Sequence, residues 1–295
     1  MWEPIALPFK NDTAPSLPTT EEIRACPFTL AETSVTKVVA VNDEVIAKFG
    51  GGIDVCEGQA LVYLERHVPE VPAPRLYAMY RDSEQVFLIM QRAPGVELDS
   101  VWPSLTEPEK DSIIANLRRI FDSMRRTECP WPDFFGSLDG GSAHHELFYS
   151  QKGDERFLGP FYGEAAFVTG LTQNFRALTE SNWRPDFKVR YYEAHLGGAL
   201  QNFRPTLTHG DVHKKNIMVA EIPSAQENKR ERSFHVPLVD WAMAGWYPEF
   251  WEYFCASRYI EFLSWEEDWC WRVGQFLPVL AAKTVMMRMF DKDME

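Results

Sequence analysis

The chain has 295 residues, enough for one large domain or two lobes, and carries 30 Lys plus Arg against 43 Asp plus Glu, a net charge of −13. That balance argues against duplex nucleic acid and anionic membrane as partners, and no apolar run reaches the ~18 residues of a membrane span. Glu3 and two prolines in MWEPIALPFK leave no signal-peptide core, and five cysteines without a C-x-x-C pair (Cys26, Cys56, Cys129, Cys255, Cys270) predict reduced thiols in a cytoplasmic protein.

Residues 1–27 hold Pro4, Pro8, Pro15, Pro18 and Pro27 and read as an irregular segment hugging the surface. From Ser34 to Phe49 the sequence SVTKVVAVNDEVIAKF is rich in β-branched residues, with a turn signal at its centre, and predicts a hairpin. Gly50-Gly51-Gly52 follows the second strand and reads as a plain turn. Glu57 to His67 places Leu61 and Leu64 on one face and predicts a short helix that stops before Pro69. VPEVPAPRLYAMY is Pro-rich and extended, and Gln85 to Gln91 has the pattern of a buried strand. Ala93-Pro94-Gly95 breaks it. A mostly β pattern precedes this point and a mostly helical one follows, which places an N-lobe at 28–92 and a C-lobe at 93–295.

Thr106 and Glu109 form a capping box, with Pro108 in the first turn of a helix over 107–126. Ile113, Leu117, Phe121 and Met124 make its apolar stripe. Residues 129–163 read as loop. A second helix is expected near 187–203, with Tyr192, Leu196, Leu200 and Phe203 on one face. Two short strands follow, at 217–220 and 234–239, separated by the polar run Ser224–Ser233, which reads as a solvated loop. Aromatic-rich helices are expected from Pro248 onward.

Two segments carry chemistry: LTHGDVHKKNIMVA and HVPLVDWAMAG. His209-Gly210-Asp211 lies in a loop after an extended run, Asn216 opens a strand, and Asp240 closes the next. Phosphoryl transfer needs a carboxylate to orient a hydroxyl, plus an amide oxygen and a second carboxylate to hold Mg²⁺. The pattern H-G-D-x-x-x-x-N arises by chance with a probability on the order of 10⁻³ in a chain this long. Upstream, Lys48 lies mid-strand and Glu57 opens the following helix. That is the order in which kinases present an ammonium to phosphates.

With the D-W-x-x-A-G-x-x-P run from Asp240 to Pro248, the chain resembles the aminoglycoside phosphotransferase and choline kinase-like family, and PEFWEY resembles its fungal group. The resemblance covers about residues 30–290. It implies an α+β bilobal protein kinase-like fold, a small β-rich N-lobe and a larger helical C-lobe. It also implies Mg²⁺- and ATP-dependent phosphorylation of a small-molecule hydroxyl. By position, Asp211 becomes the catalytic base, Asn216 and Asp240 the Mg²⁺ ligands, and Lys48 the phosphate contact with Glu57 as its partner. His209 braces the loop, and the adenine meets hinge backbone near Met90–Arg92. No G-x-G-x-x-G precedes Lys48; the equivalent turn is Ala31–Thr36, offering Ser34 and Thr36 to the phosphates. His213 stands where protein kinases carry Lys, which favours the small-molecule branch.

Other chemistries compete with this one. His209-x-Asp211-x-His213 has the chemistry of a metal set, but no further histidine cluster supports a metallohydrolase. His67, His144 and His145 read as surface residues, and Asp133, Asp139 and Glu146 as ordinary loop acids. No G-x-S-x-G exists for a hydrolase serine. A nucleotide-binding pseudoenzyme and a kinase-like fold reused for non-kinase biosynthetic chemistry stay open. The acceptor is not legible.

Overall fold

Alternation dictates the first sheet. In a computed structural model that describes residues 2–148, 157–223, 232–258 and 268–294, the early chain forms β1 (Phe9–Lys10), α1 (Thr20–Ala25), β2 (Thr29–Glu32), β3 (Lys37–Ala40) and β4 (Val45–Gly50). The helix α2 (Cys56–His67), then β5 (Leu76–Asp82) and β6 (Gln85–Gln91), follow. The six strands form one antiparallel sheet in the order β1-β5-β6-β4-β3-β2. The hairpin is where the sequence puts it: Asn42 Oδ1 accepts from the amides of Glu44 and Val45, both at 2.8 Å, and fixes the turn.

Successive side chains on β4 point to opposite faces. Val45, Ala47 and Phe49 join Ile23, Val39, Ala78, Phe87 and Ile89 in a core on one face. Lys48 therefore points to the other, where α2 packs. Gly58 makes that packing close, since a Cβ there would lie 2.5 Å from the Met79 sulfur. The segment expected to be irregular contains two elements the sequence reading passed over. β1 adds an edge strand to β5, and α1 is closed by a Thr19–Glu22 capping box. Thr19-x-x-Glu22 is legible in the sequence but was masked by the surrounding prolines.

The chain continues through β7 (Val96–Glu97), α3 (Leu98–Val101) and α4 (Glu107–Arg126). The Glu109 carboxylate accepts from the amide and hydroxyl of Thr106 at 2.9 and 3.0 Å. The stretch expected to be loop holds β8 (Phe134–Ser137), a single helical turn at Glu146–Phe148 and β9 (Phe161–Tyr162). Helix α5 (Glu164–Ser181) was not anticipated. Its Phe167, Leu171 and Phe175 recur at four-residue spacing and are buried, but Thr169, Gly170, Thr172 and Asn174 dilute the pattern with poor helix formers. Helix α6 (Phe187–Leu200) ends three residues earlier than expected and is followed by β10 (Pro205–Thr208).

The remaining elements are β11 (Met218–Ile222), β12 (Ser233–His235), β13 (Gly245–Pro248), α7 (Trp251–Arg258), α8 (Trp269–Phe276) and α9 (Ala281–Met294). The strand expected at 234–239 stops at His235, and only Leu238 makes a further bridge, to Ile217. Most of the polar run Ser224–Ser233 lies outside the described residues. At its end, Arg232 clasps Glu109 through two hydrogen bonds of 2.6 and 3.1 Å.

Two compact units result, one of residues 1–112 and 214–242, the other of residues 113–213 and 243–295. The expected division at residue 92 falls within the first unit. β7 pairs with β11 in a separate three-stranded sheet with β12, the Leu98 amide donates to the Ile217 carbonyl and the Leu238 amide to the Pro72 carbonyl, both at 2.8 Å, so 93–112 and 214–242 belong with the first unit. In the second unit, β8, β9, β10 and β13 form a sheet. Its core is aromatic: Phe135, Phe148, Phe167, Phe203, Tyr247 and Trp251 are buried with residues of α5, α6, α7 and α9. Each fully buried ring of this size contributes roughly 1.5–3 kcal/mol. Among the described residues, no helix is long and apolar enough to cross a membrane.

Candidate active site

In the first unit, Lys48 Nζ lies 2.7 Å from Glu57 Oε2 and 2.8 Å from Asp240 Oδ1. Strand β4 supplies the lysine, the first turn of α2 the glutamate, and the bend after β12 the aspartate. The Glu57 side chain is 4% exposed and that of Lys48 16%, so the pair sits where water screens little. Burial pulls the Lys48 ammonium down, and the Glu57 and Asp240 carboxylates more than reverse it, so its pKa stands above the ordinary lysine value. Burial pushes the Glu57 carboxyl up, against the opposing pull of Lys48. Lys48 remains a fixed cation.

Asp240 adopts φ +62°, a left-handed conformation that few non-glycine residues take. Asp is among those that tolerate it, and such strain clusters at functional positions. The bend is pinned by Trp241, whose buried indole Nε1 donates to the Leu238 carbonyl at 2.9 Å. The Val239 amide donates to the Asn216 carbonyl at 3.0 Å, and that of Met218 to Pro237 at 2.9 Å. This register sets the backbones carrying Asn216 and Asp240 side by side. Both side chains offer hard oxygen donors, the type that suits Mg²⁺.

The backbone and side chains expected near the nucleotide are engaged as follows. The Gln91 amide donates to Arg75 and the Arg92 amide to Glu44, both at 2.8 Å, so neither is available to a base. Met90 is buried on a strand paired on both sides. In the turn before β3, Thr33 Oγ1 accepts from the amides of Val35 and Thr36 and bonds the Thr36 hydroxyl at 2.8 Å. Thr36 is thus occupied, while Ser34 stays exposed in that turn.

In the second unit, β10 delivers the loop His209-Gly210-Asp211. Gly210 has φ +84°, and a Cβ there would lie 2.6 Å from the Met243 carbonyl oxygen, so only glycine fits without rearrangement. His209 is buried, and its Nδ1 accepts from the Asp211 amide at 3.2 Å. That bond is a bracing contact and takes this nitrogen out of reach of a metal. His213 Nε2 lies 3.5 Å from Asp211 Oδ2.

The residue that sequence reasoning missed is Glu252, on α7. It is buried, and its two carboxylate oxygens accept from the amides of His209 at 2.6 Å and Gly210 at 3.0 Å. Burial pushes its carboxyl up to about 7, while the two backbone bonds pull the other way. It fixes the loop that carries Asp211. His145, expected at the surface, is buried instead, stacked edge-on against Trp251 at 5.0 Å. Its Nδ1 accepts from the Leu147 amide at 3.2 Å and its Nε2 meets Cys255 Sγ at 3.6 Å. Burial, with Arg258 nearby, pulls its pKa down to about 3, so it is a neutral core residue. Glu146 pairs with Arg258, one of the acids expected to be an ordinary loop group.

The family model described as the phosphotransferase enzyme family, APH, matches residues 56–268, a span that begins after Lys48. No curated protein matches the chain significantly. Among solved structures, a type VIII aminoglycoside-3'-phosphotransferase is similar at 16% identity and TM-score 0.53, over 92% of this chain and 98% of its own. The ADP-bound aminoglycoside phosphotransferase APH(2'')-Ib is similar at 16% identity and TM-score 0.50, over 89% and 80%. A ternary complex of a thermostable mutant of APH(4)-Ia with ADP and hygromycin B is similar at 15% identity and TM-score 0.50, over 90% and 77%. These likenesses carry the kinase-like α+β fold. Since well over half of its residues match the family, the chain belongs to the phosphotransferase enzyme family.

Proposed function

We propose that this phosphotransferase moves the γ-phosphoryl group of ATP to a hydroxyl of a small molecule, with Mg²⁺ as its metal. The observation that carries the reading is the buried Lys48 held by Glu57 at 2.7 Å and by a left-handed Asp240 at 2.8 Å. A cation so fixed costs no reorganisation when a polyphosphate arrives. Asn216 and Asp240 would hold the Mg²⁺, which on binding neutralises charge on the phosphates. Asp211, on a loop fastened by Glu252, would orient the acceptor hydroxyl and take its proton. The small-molecule acceptor is supported by family membership and by His213 in the place of a protein kinase's lysine. ADP bound to two of the similar structures, and hygromycin B in one of them, agree with this reading.

Calorimetric titration of ATP, with and without Mg²⁺, tests the nucleotide. Binding should require Mg²⁺, and Asp240→Ala should weaken it by about 10–100-fold. ADP release over a panel of hydroxylated amines and sugars tests transfer. Asp211→Ala should lower it by about 10²–10⁴-fold with nucleotide affinity retained. Absence of ATP binding under both conditions refutes the proposal. So does full transfer in both variants.

A further inference from the structure

Helix α2 carries Glu57, and its first nine residues, Cys56 to Leu64, are all buried. The sheet accounts for one side, where Gly58 meets Met79, Leu88 and Leu76. Gln59, Tyr63 and His67 recur at four-residue spacing on the opposite side of the helix. The segment that covers them is the start of the chain. Trp2 is buried there, its ring edge-on to Tyr63 at 5.2 Å and to His67 at 5.6 Å. Ile5 donates its amide to Gln59 Oε1 at 2.8 Å and accepts from Gln59 Nε2 at 2.9 Å. The buried Gln59 side chain thus mimics a neighbouring strand and pairs both backbone groups of one residue, Ile5. Beyond it, β1 pairs with β5, Phe9 opposite Met79, and the Asn11 amide donates to the Tyr77 carbonyl at 2.8 Å. The chain from Trp2 to Asn11 is therefore anchored on α2 at one end and on the sheet edge at the other.

We infer that this strap holds α2 against the sheet at the depth that keeps Glu57 on Lys48, making Trp2 and Gln59 positioning residues for the nucleotide site. The inference rests on the reading of Lys48 as the phosphate contact. Its physical basis is simple. A helix clamped on both sides keeps Glu57 Oε2 at 2.7 Å from Lys48 Nζ; a helix clamped on one side relaxes away from the sheet. Glu57 and Gln59 are two residues apart on opposite sides of α2, so Gln59 reaches Lys48 only through the placement of the helix.

The test uses the full chain with Trp2→Ala and Gln59→Ala, each alone and combined with Glu57→Gln. Removing the two Gln59 bonds or the Trp2 ring should weaken Mg²⁺–ATP binding about tenfold in the native background. In the Glu57→Gln background the same changes should alter it less than about twofold, because the group they position is gone. Equal losses in both backgrounds would overturn the inference, since they would mark a merely structural role. Trp2→Phe should restore most of the affinity. Hydrogen exchange of the nucleotide-free protein gives a second readout. The amides of α2 should exchange at least about tenfold faster in the variants while those of β4 and β6 stay unchanged. Unchanged α2 exchange also overturns the inference. If the native protein binds no nucleotide, the proposed function falls and the exchange result alone decides the strap.

Discussion

Replacing Glu252 by Gln is the most discriminating perturbation of the loop that carries Asp211. The side chain keeps its size, but its carboxylate is lost and one of the two amides it serves, of His209 or Gly210, faces an NH₂ group. The carboxyl stands at about 7 in the folded protein against an ordinary 4.5. The folded state therefore holds this proton more tightly than the unfolded chain does. The stability it contributes is complete below about pH 4.5 and is lost as pH rises to about 7, a difference of about 3 kcal/mol. Urea unfolding followed by tryptophan fluorescence, between pH 4.5 and 8, measures it. The native protein should lose about 3 kcal/mol relative to Glu252→Gln across that interval, and the two curves should run parallel above it. A difference that stays flat within about 1 kcal/mol refutes the reasoning, because the carboxyl would then titrate alike in both states. Glu252→Ala should cost more, since it leaves two buried amides without an acceptor, each worth roughly 1–3 kcal/mol.

Two further outcomes follow from the same unit. His145 is pulled from 6.5 down to about 3, so the stability it contributes is complete above pH 6.5 and lost as pH falls toward 3. His145→Gln, which keeps an acceptor for the Leu147 amide, should flatten that acid limb by about 4–5 kcal/mol, read from unfolding curves at pH 3.5 to 7. Gly210→Ala should cost about 1–3 kcal/mol for the left-handed φ alone, and the 2.6 Å approach to Met243 forces the loop to move. Its turnover should fall at least about tenfold with ATP affinity kept, measured by ADP release beside calorimetry.

What was legible in the sequence was what local chemistry dictates. The hairpin at 37–50, the strand at 85–91 and the helix at 107–126 follow from alternation, a turn and a cap, each contained within its own stretch of chain. Lys48, Glu57, Asp211, Asn216 and Asp240 stand out as candidates because their order and spacing match a known pattern. The structure brings Lys48, Glu57 and Asp240 together in the first unit. It leaves the expected hinge amides at 91 and 92 occupied by the sheet. Those bonds were not legible because a strand's pattern tells which side chains are buried, while its hydrogen bonds depend on which strands flank it. Helix α5 was lost for the opposite reason, since its packing overrides a poor local propensity.

Glu252 shows why the supporting residues were the harder part. Its partners are two backbone amides, 42 and 43 residues earlier in the chain, and an amide leaves no mark on a sequence. Gln59 is the same case, because it serves the backbone N–H and C=O of Ile5. The candidate groups are of marked charge and ligand type, so they show in composition and spacing. Those that hold them in place satisfy backbone, and almost any residue supplies backbone. Asp240 joins the two kinds. Its carboxylate type suits a cation and Mg²⁺, and Asp is also one of the few side chains that accepts a φ of +62°. One residue choice thus meets both a chemical and a conformational demand, which is why that position could be read from the sequence and its geometry could not.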